Sequence, residues 1–440
     1  MFKKISILLL LVSIALHAFA GGQTQKTPGE TAAGGKTEIR VYWWGDTVRH
    51  NLYNQILDEF EKANPNIKTI REPTSWADYW DKLAIQTAGG NAPEFMGMHQ
   101  QYASDYLPRG VCEPLDDYIS RGILSTNGWE QGTLDTGKYN GKLYMMAMGV
   151  TFSSAFMNNG IFREIGVTPP GFNWTWDDAK RIGLQTRAAL DNAGKKNAYM
   201  LTDLSGGINE FRYFVRQRGR EVYGANGNIS CTEQDVSDWW TMFKEFRDQG
   251  IIPDAETQAE FTGTVLEDGL FARDRVLIAW VPVNQFALYS RTFPSKDITI
   301  IRHASTAGGK VGEWPEGAHF AVNARSTQPK KDAAAALINF WVNDPKSLAL
   351  FKLDQGVPGN LKVDNEVVVP LLDEYQKAMY DFVMQLSQIA GPTINPPTGA
   401  SEIQTLFQTI AEQISYNVIT PAAGARQFMT EANAIRARAR

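Results

Sequence analysis

From Thr37 onward, apolar runs that suit a strand alternate with runs that suit a helix. Glu38 to Trp44 is a short apolar run and predicts a strand. Asn51 to Ala63 puts Leu52, Ile56, Leu57 and Phe60 on one helical face. Asn64-Pro65 stops that helix, and Ile67 to Ile70 predicts the next strand. Trp76 to Ala88 predicts a second helix, closed by Gly89-Gly90, and Glu94 to Met98 a strand after Pro93. This alternation implies an α/β architecture, with a mostly parallel sheet covered on both faces. Leu143 to Met157, a weakly polar run broken by Gly149, predicts a strand passing through a bend. In Asn173-Trp174-Thr175-Trp176-Asp177-Asp178, Thr175 can cap a helix and Asp178 can return the bond, a capping role that accounts for the acid pair without catalysis. Helical periodicity returns in Val236 to Gln249, Asp332 to Val342 and Glu402 to Ile414.

The chain opens with Lys3-Lys4, then runs apolar from Ile5 to Leu16 and reaches Ala18-Phe19-Ala20. A positive start, an apolar stretch too short to span a bilayer and an A-x-A site predict a signal peptide over 1–20 and export to the periplasm or beyond. Residues 21–36 lack large apolar side chains and are rich in Gly, Thr and Gln, which predicts a flexible linker. No cysteine stands near the cleavage site, so a soluble, unanchored protein is expected. About 400 residues remain, more than one core usually supports, which implies two domains.

The net charge is −5, and losing Lys3 and Lys4 with the signal takes it to −7. With no basic block, neither nucleic acid nor an anionic membrane is the expected partner. Cys112 and Cys231 are far apart in sequence; export permits a disulfide, and two buried thiols are an equal alternative.

An ordered series of segments carries a resemblance. It runs IRVYWWGD, FEKANPNI, DYWDKLAIQTAGGNAPEF, RGVCEPLDDYI, GKLYMMAMG with FMNNGIFREIGV, NWTWDDAK, GLFARDRVLIAW and KDAAAALINFWVNDPKSLALF. Together they resemble the family 1 extracellular solute-binding proteins, the sugar-binding components of ABC importers. Met157 stands where many relatives carry an aromatic residue, and the lipobox cysteine of anchored relatives is missing. The resemblance implies a two-lobed periplasmic-binding-protein fold of type II-like topology, with a ligand cleft between lobes joined by hinge strands. It places the N-terminal lobe at 37–150 plus 318–355 and the C-terminal lobe at 151–317 plus 356–440. It also implies a monomer without cofactor or metal that delivers a carbohydrate to ABC transporter permease subunits.

A sugar offers flat C–H faces and a ring of hydroxyls, so its receptor needs aromatic platforms and fixed polar partners. In the first lobe Trp44 and Asp46 follow the opening strand, and His99, Gln100 and Gln101 follow the strand ending at Met98. Both groups stand at carboxyl ends of strands, where open α/β sheets bind ligands. Asp46 could instead cap a helix, and the glutamines could lie in a solvated loop. Tyr79 and Trp80, on an amphipathic helix, are expected in the core. From the resemblance, Thr151 contacts sugar in the hinge and Trp280 stacks on it from the second lobe. Trp314, Glu316 and Gly317 lie on the second crossing, where burial in the hinge is the alternative for Trp314.

With no Lys or Arg among these candidates, neutral oligosaccharides are expected over uronates, although Arg49, Arg212 and Arg216 are near enough in sequence to reverse this. No G-x-S-x-G, H-E-x-x-H or P-loop is present, and the five histidines show no ligand spacing. The alternatives are a glycoside hydrolase using Asp46 with Glu316, and a binding protein for an anionic or peptide solute.

Overall fold

The computed structural model describes residues 35–224, 226–261 and 268–439. The expected signal peptide and all but the last two residues of the expected linker lie outside the described residues. Among the described residues eleven strands run β1 Thr37–Trp44, β2 Ile67–Thr74, β3 Phe95–His99, β4 Lys138–Tyr139, β5 Lys142–Leu143, β6 Met145–Ala147, β7 Ser153–Asn158, β8 Tyr199–Leu201, β9 Val276–Pro282, β10 Ile298–Ile301 and β11 Ala318–Val322.

They form a five-stranded sheet in the order β2-β1-β3-β11-β6, a four-stranded sheet in the order β10-β7-β9-β8, and the β4-β5 hairpin. Each large sheet carries its own core. One gathers Ile39, Trp43, Phe95, Phe320 and Trp341, and the other Met157, Trp239, Trp240, Ile278 and Phe407. These are the two lobes. A third cluster packs Phe156, Val276 and Ile300 of the second sheet with Phe286 and Phe382, and takes in Val150, Phe152, Leu353 and Val357 from the chain segments that pass between the lobes.

The expectation of mostly parallel sheets is corrected. β1 is parallel to β2 and β3, but β11 is antiparallel to β3 and β6, and in the second sheet only β8 and β9 are parallel. The reason is the crossing at Gly317: Ala318 pairs with His99, so β11 enters the sheet at the end where β3 leaves it and must run the other way.

Helices form where periodicity and caps predict them. Asp46 caps Thr47–Ala63, Ser75 caps Trp76–Ala88, and Thr175 with Asp178 makes a capping box for Trp176–Asn192. Cys112 and Cys231 are unpaired and buried, one in each lobe, and burial pushes each thiol up to about 12.

Three segments cross between the lobes and bond to one another. Val150 and Val357 exchange backbone bonds of 2.7 and 2.8 Å, and Thr151 and Glu316 exchange two of 2.9 Å. Glycine lets them approach this closely. A Cβ on Gly317 would stand 2.3 Å from the Gly149 carbonyl oxygen, and Gly356, at φ +108°, would put one 2.3 Å from that of Val150.

Candidate functional site

The polar side chains beyond β3 and those on the second crossing meet at one cavity. His99, Gln100 and Gln101 come from the first lobe and Trp314 and Glu316 from the crossing, joined by Asn209, Arg212 and the segment Thr393–Pro396. These five expected site residues are thus brought together. The cavity holds about 30 Å³, room for one or two waters and far below the roughly 300 Å³ or more of sites that bury a ligand. The lobes therefore stand closed on it.

Each wall has a physical support. His99 caps the next helix through Nδ1, which accepts from the Gln101 backbone N–H at 3.3 Å. Burial lowers its imidazole to about 4, so it is neutral at pH 7. Gln100 is buried and donates to the Thr136 carbonyl at 3.4 Å. Gln101 reaches across the lobes to Gln404 Oε1 at 2.9 Å.

On the other side, a column of rings backs the wall. Trp280 stacks on His303 at 4.2 Å, His303 lies 4.7 Å from Tyr213, and Tyr213 lies 4.1 Å from Trp314. The Arg212 guanidinium caps the column, 4.5 Å from the Trp314 ring. Burial, and then the neighbouring Glu210 carboxyl, push Glu316 up to about 7, against the opposing pull of Arg212. Near neutral pH that carboxyl is a hydrogen-bond donor as often as an anion.

Other expected site residues stand elsewhere. Trp44 is only 5% exposed, enclosed by Trp76, Tyr79 and Trp80 with ring centroids 5.0, 4.9 and 5.6 Å away. It is core and not cavity wall, because helix Trp76–Ala88 covers its face of the sheet and Gly97 on β3 leaves room for the ring; a Cβ there would lie 2.7 Å from it. Trp43, on the opposite face, is buried against Tyr53 and donates to His50 Nδ1 at 3.2 Å. Asp46 is exposed and accepts from the Arg49 N–H at 2.9 Å as a helix cap. Trp280 sits in the column behind the cavity. Thr151 and Gly317 belong to the hinge, where the Thr151 hydroxyl is buried without a partner. As expected, Tyr79 and Trp80 are core.

Trp76 was not singled out from sequence as part of the site. Arg212, which stood near enough in sequence to enter it, lines the cavity. Its signal was a charge inside an apolar helical run, between Phe211 and Phe214. Trp76 opens its helix and is 40% exposed, its ring edge-to-face with Trp44, Trp80 and the cavity residue His99. It is the free aromatic surface of the cluster that buries Trp44. Among the described residues no group of His, Cys, Asp and Glu could hold a metal ion, and no helix is long and apolar enough to cross a membrane.

Residues 55–378 match the family model of the bacterial extracellular solute-binding proteins. An arabinooligosaccharide-binding protein of Bacillus subtilis (strain 168) is 24% identical over 233 residues, 52% of this chain and 51% of that protein. The chain spans about half the length of the curated relatives it matches. Among solved structures, a periplasmic solute binding protein from Pectobacterium atrosepticum superposes with a TM-score of 0.81 at 22% identity, over 92% of this chain and 99% of that one. A periplasmic oligogalacturonide binding protein from Yersinia enterocolitica, in complex with saturated digalacturonic acid, gives 0.79 at 20% identity, over 92% and 100%. These likenesses establish the two-lobed fold.

Proposed function

Because the chain belongs to the bacterial extracellular solute-binding proteins, we propose that it captures a carbohydrate in the cavity between its lobes, as an exported monomer, and hands it to the permease of an ABC importer. The observation that carries this reading is convergence. Amide, imidazole and carboxyl groups from both lobes meet an aromatic ring at one cavity beside a three-stranded crossing. Amides can donate and accept at once, as sugar hydroxyls require. The crossing supplies the hinge by which such a site opens and closes. The names of the relatives support a sugar, one an arabinooligosaccharide and one an oligogalacturonide.

The hydrolase reading loses its pair. Asp46 serves as a helix cap and is not among the cavity residues, so it does not stand across the cavity from Glu316. The protein is therefore expected to return its ligand unchanged.

Calorimetric titration of the purified protein against a panel of oligosaccharides tests the reading. Saturable 1:1 binding, with a smaller radius of gyration at saturation and intact sugar recovered, is the expected result. Silence across the panel, or shortened product at catalytic turnover, overturns it.

A further inference from the structure

We propose that the ligand of this cavity is an acidic sugar, a uronate whose carboxylate is taken by the guanidinium of Arg212. This rests on the carbohydrate reading above and reverses the preference for neutral sugars expected from sequence.

The observation is a buried cation without a counter-ion. Arg212 is 4% exposed, yet it lines the interlobe cavity and a second, adjoining one shared with Gln101, Tyr223 and Gln404. One of its N–H groups donates to the Ile394 carbonyl at 2.7 Å, and its face lies on Trp314. No carboxylate of the described residues stands within ion-pair distance of it. Comparable arginines are paired: Arg216, one turn further on the same helix, meets Glu221 at 3.3 Å, Arg302 meets Glu313 at 2.6 Å, and Arg247 meets Asp203.

A buried guanidinium cannot escape its charge by deprotonation, and leaving it unpaired is costly. Something must supply the negative charge, and the open side of Arg212 is the cavity. Glu316 and Glu221 both attract Arg212, but neither makes an ion pair with it: Glu221 pairs with Arg216, and the Glu316 carboxyl is held high enough to be substantially protonated at neutral pH. It then offers a proton to the ligand and does not compete for the guanidinium.

The geometry suits a carboxylate. A planar fork of donors matches two carboxylate oxygens side by side, and Trp314 behind it fixes the plane. Around it, His99, Gln100, Gln101, Asn209 and Asn395 are uncharged at pH 7 and fit ring hydroxyls. One arginine, facing a Glu316 carboxyl that is already partly ionised near neutral pH, has no charge to spare for a doubly charged phosphate ester.

The test uses oligosaccharide pairs that differ only at C6, carboxylate against hydroxymethyl: digalacturonate with galactobiose, cellobiouronate with cellobiose, and dimannuronate with mannobiose. Titration calorimetry at pH 6.5 should find one acidic member that binds at least about tenfold tighter than its neutral partner. Arg212→Gln should weaken that acid about a hundredfold and abolish its advantage over the neutral partner, and Arg212→Lys should restore part of the loss. Thermal melts establish that each variant is folded; should both fail, the wild-type pairs alone decide. A neutral member that binds as tightly as its acidic twin overturns the uronate proposal and leaves the carbohydrate reading standing. So does an acid whose affinity survives Arg212→Gln. Silence of all pairs overturns this proposal, and silence across the wider sugar panel as well overturns the reading beneath it.

Discussion

Trp44 and Trp76 touch, yet their removal should have opposite consequences. Trp44 is 5% exposed and ringed by three aromatics, so Trp44→Ala leaves a cavity in the first lobe and should cost about 3 to 5 kcal/mol of stability. Trp76 keeps 40% of its surface exposed, which for a side chain that buries up to about 250 Å² is roughly 100 Å². A sugar ring laid on most of that, about 80 Å² at about 25 cal/mol per Å², gains about 2 kcal/mol, or about thirtyfold in dissociation constant. Trp76→Ala should therefore bind an oligosaccharide about thirtyfold more weakly and melt close to wild type. Melts and titrations of the two variants, with Trp43→Ala as a buried reference, make the comparison. A Trp44 variant as stable as wild type, or a Trp76 variant with undiminished affinity for the best-binding sugar, would refute the reasoning.

Three further outcomes are expected. Glu316 rises on folding from an ordinary 4.5 to about 7; the folded state thus holds its proton more tightly, its contribution is complete below about pH 4.5, and stability should fall as pH rises through 7. Urea melts at pH 5 and 7.5 read this fall, and Glu316→Gln should lessen it, with Asp364, which burial also raises to about 7, supplying part of the remainder; an unchanged pH dependence in the variant would exclude Glu316 as a source. Gly317→Ala, whose Cβ would lie 2.3 Å from a backbone oxygen of the neighbouring crossing, should lower the melting temperature by the equivalent of about 1 to 3 kcal/mol, and a neutral outcome would mean that the crossings part easily. A thiol reagent should find neither Cys112 nor Cys231 in the native protein and both after unfolding without reductant; native labelling, or none in denaturant, contradicts two buried free thiols.

Local rules carried the sequence reading as far as they apply. β1, the helix after it and the capping box at Thr175 depend on residues within one turn or strand of each other, and they form as their pattern predicts. Sheet direction does not. Whether β11 runs with or against β3 depends on which side of the fold the chain returns from, and no residue within β11 records that. Trp44 failed for a related reason: its burial is decided by Gly97, 53 positions away, which clears the space its ring fills. A glycine inside a strand run was the available signal, meaningful only once the strands were known to be neighbours. His99, Gln100 and Gln101 were legible because the carboxyl end of a strand is itself a local feature. Thr393–Pro396 were not, since a proline-rich loop gives no hint of the cavity it closes.

The closed cavity bears on how tightly any ligand can be held. The lobes are joined by Gln101 to Gln404 at 2.9 Å, Ser401 to Asp105 at 2.9 Å, and Asn395 to the Lys138 carbonyl at 3.2 Å. Each exchanges a bond to water for one within the protein, a net gain of about 0.5 to 1.5 kcal/mol. Three together are worth a few kcal/mol, the scale that separates two conformations when both are populated. Under the proposed function, a sugar too large for about 30 Å³ would bind a form in which these bonds are broken, and its apparent affinity would be reduced by the fraction of molecules that are open. Once inside, it must replace what the lobes lose. If the ligand is a uronate, its carboxylate would pair with the Arg212 guanidinium, which is buried and has no ion-pair partner among the described residues, and would so favour the closed form.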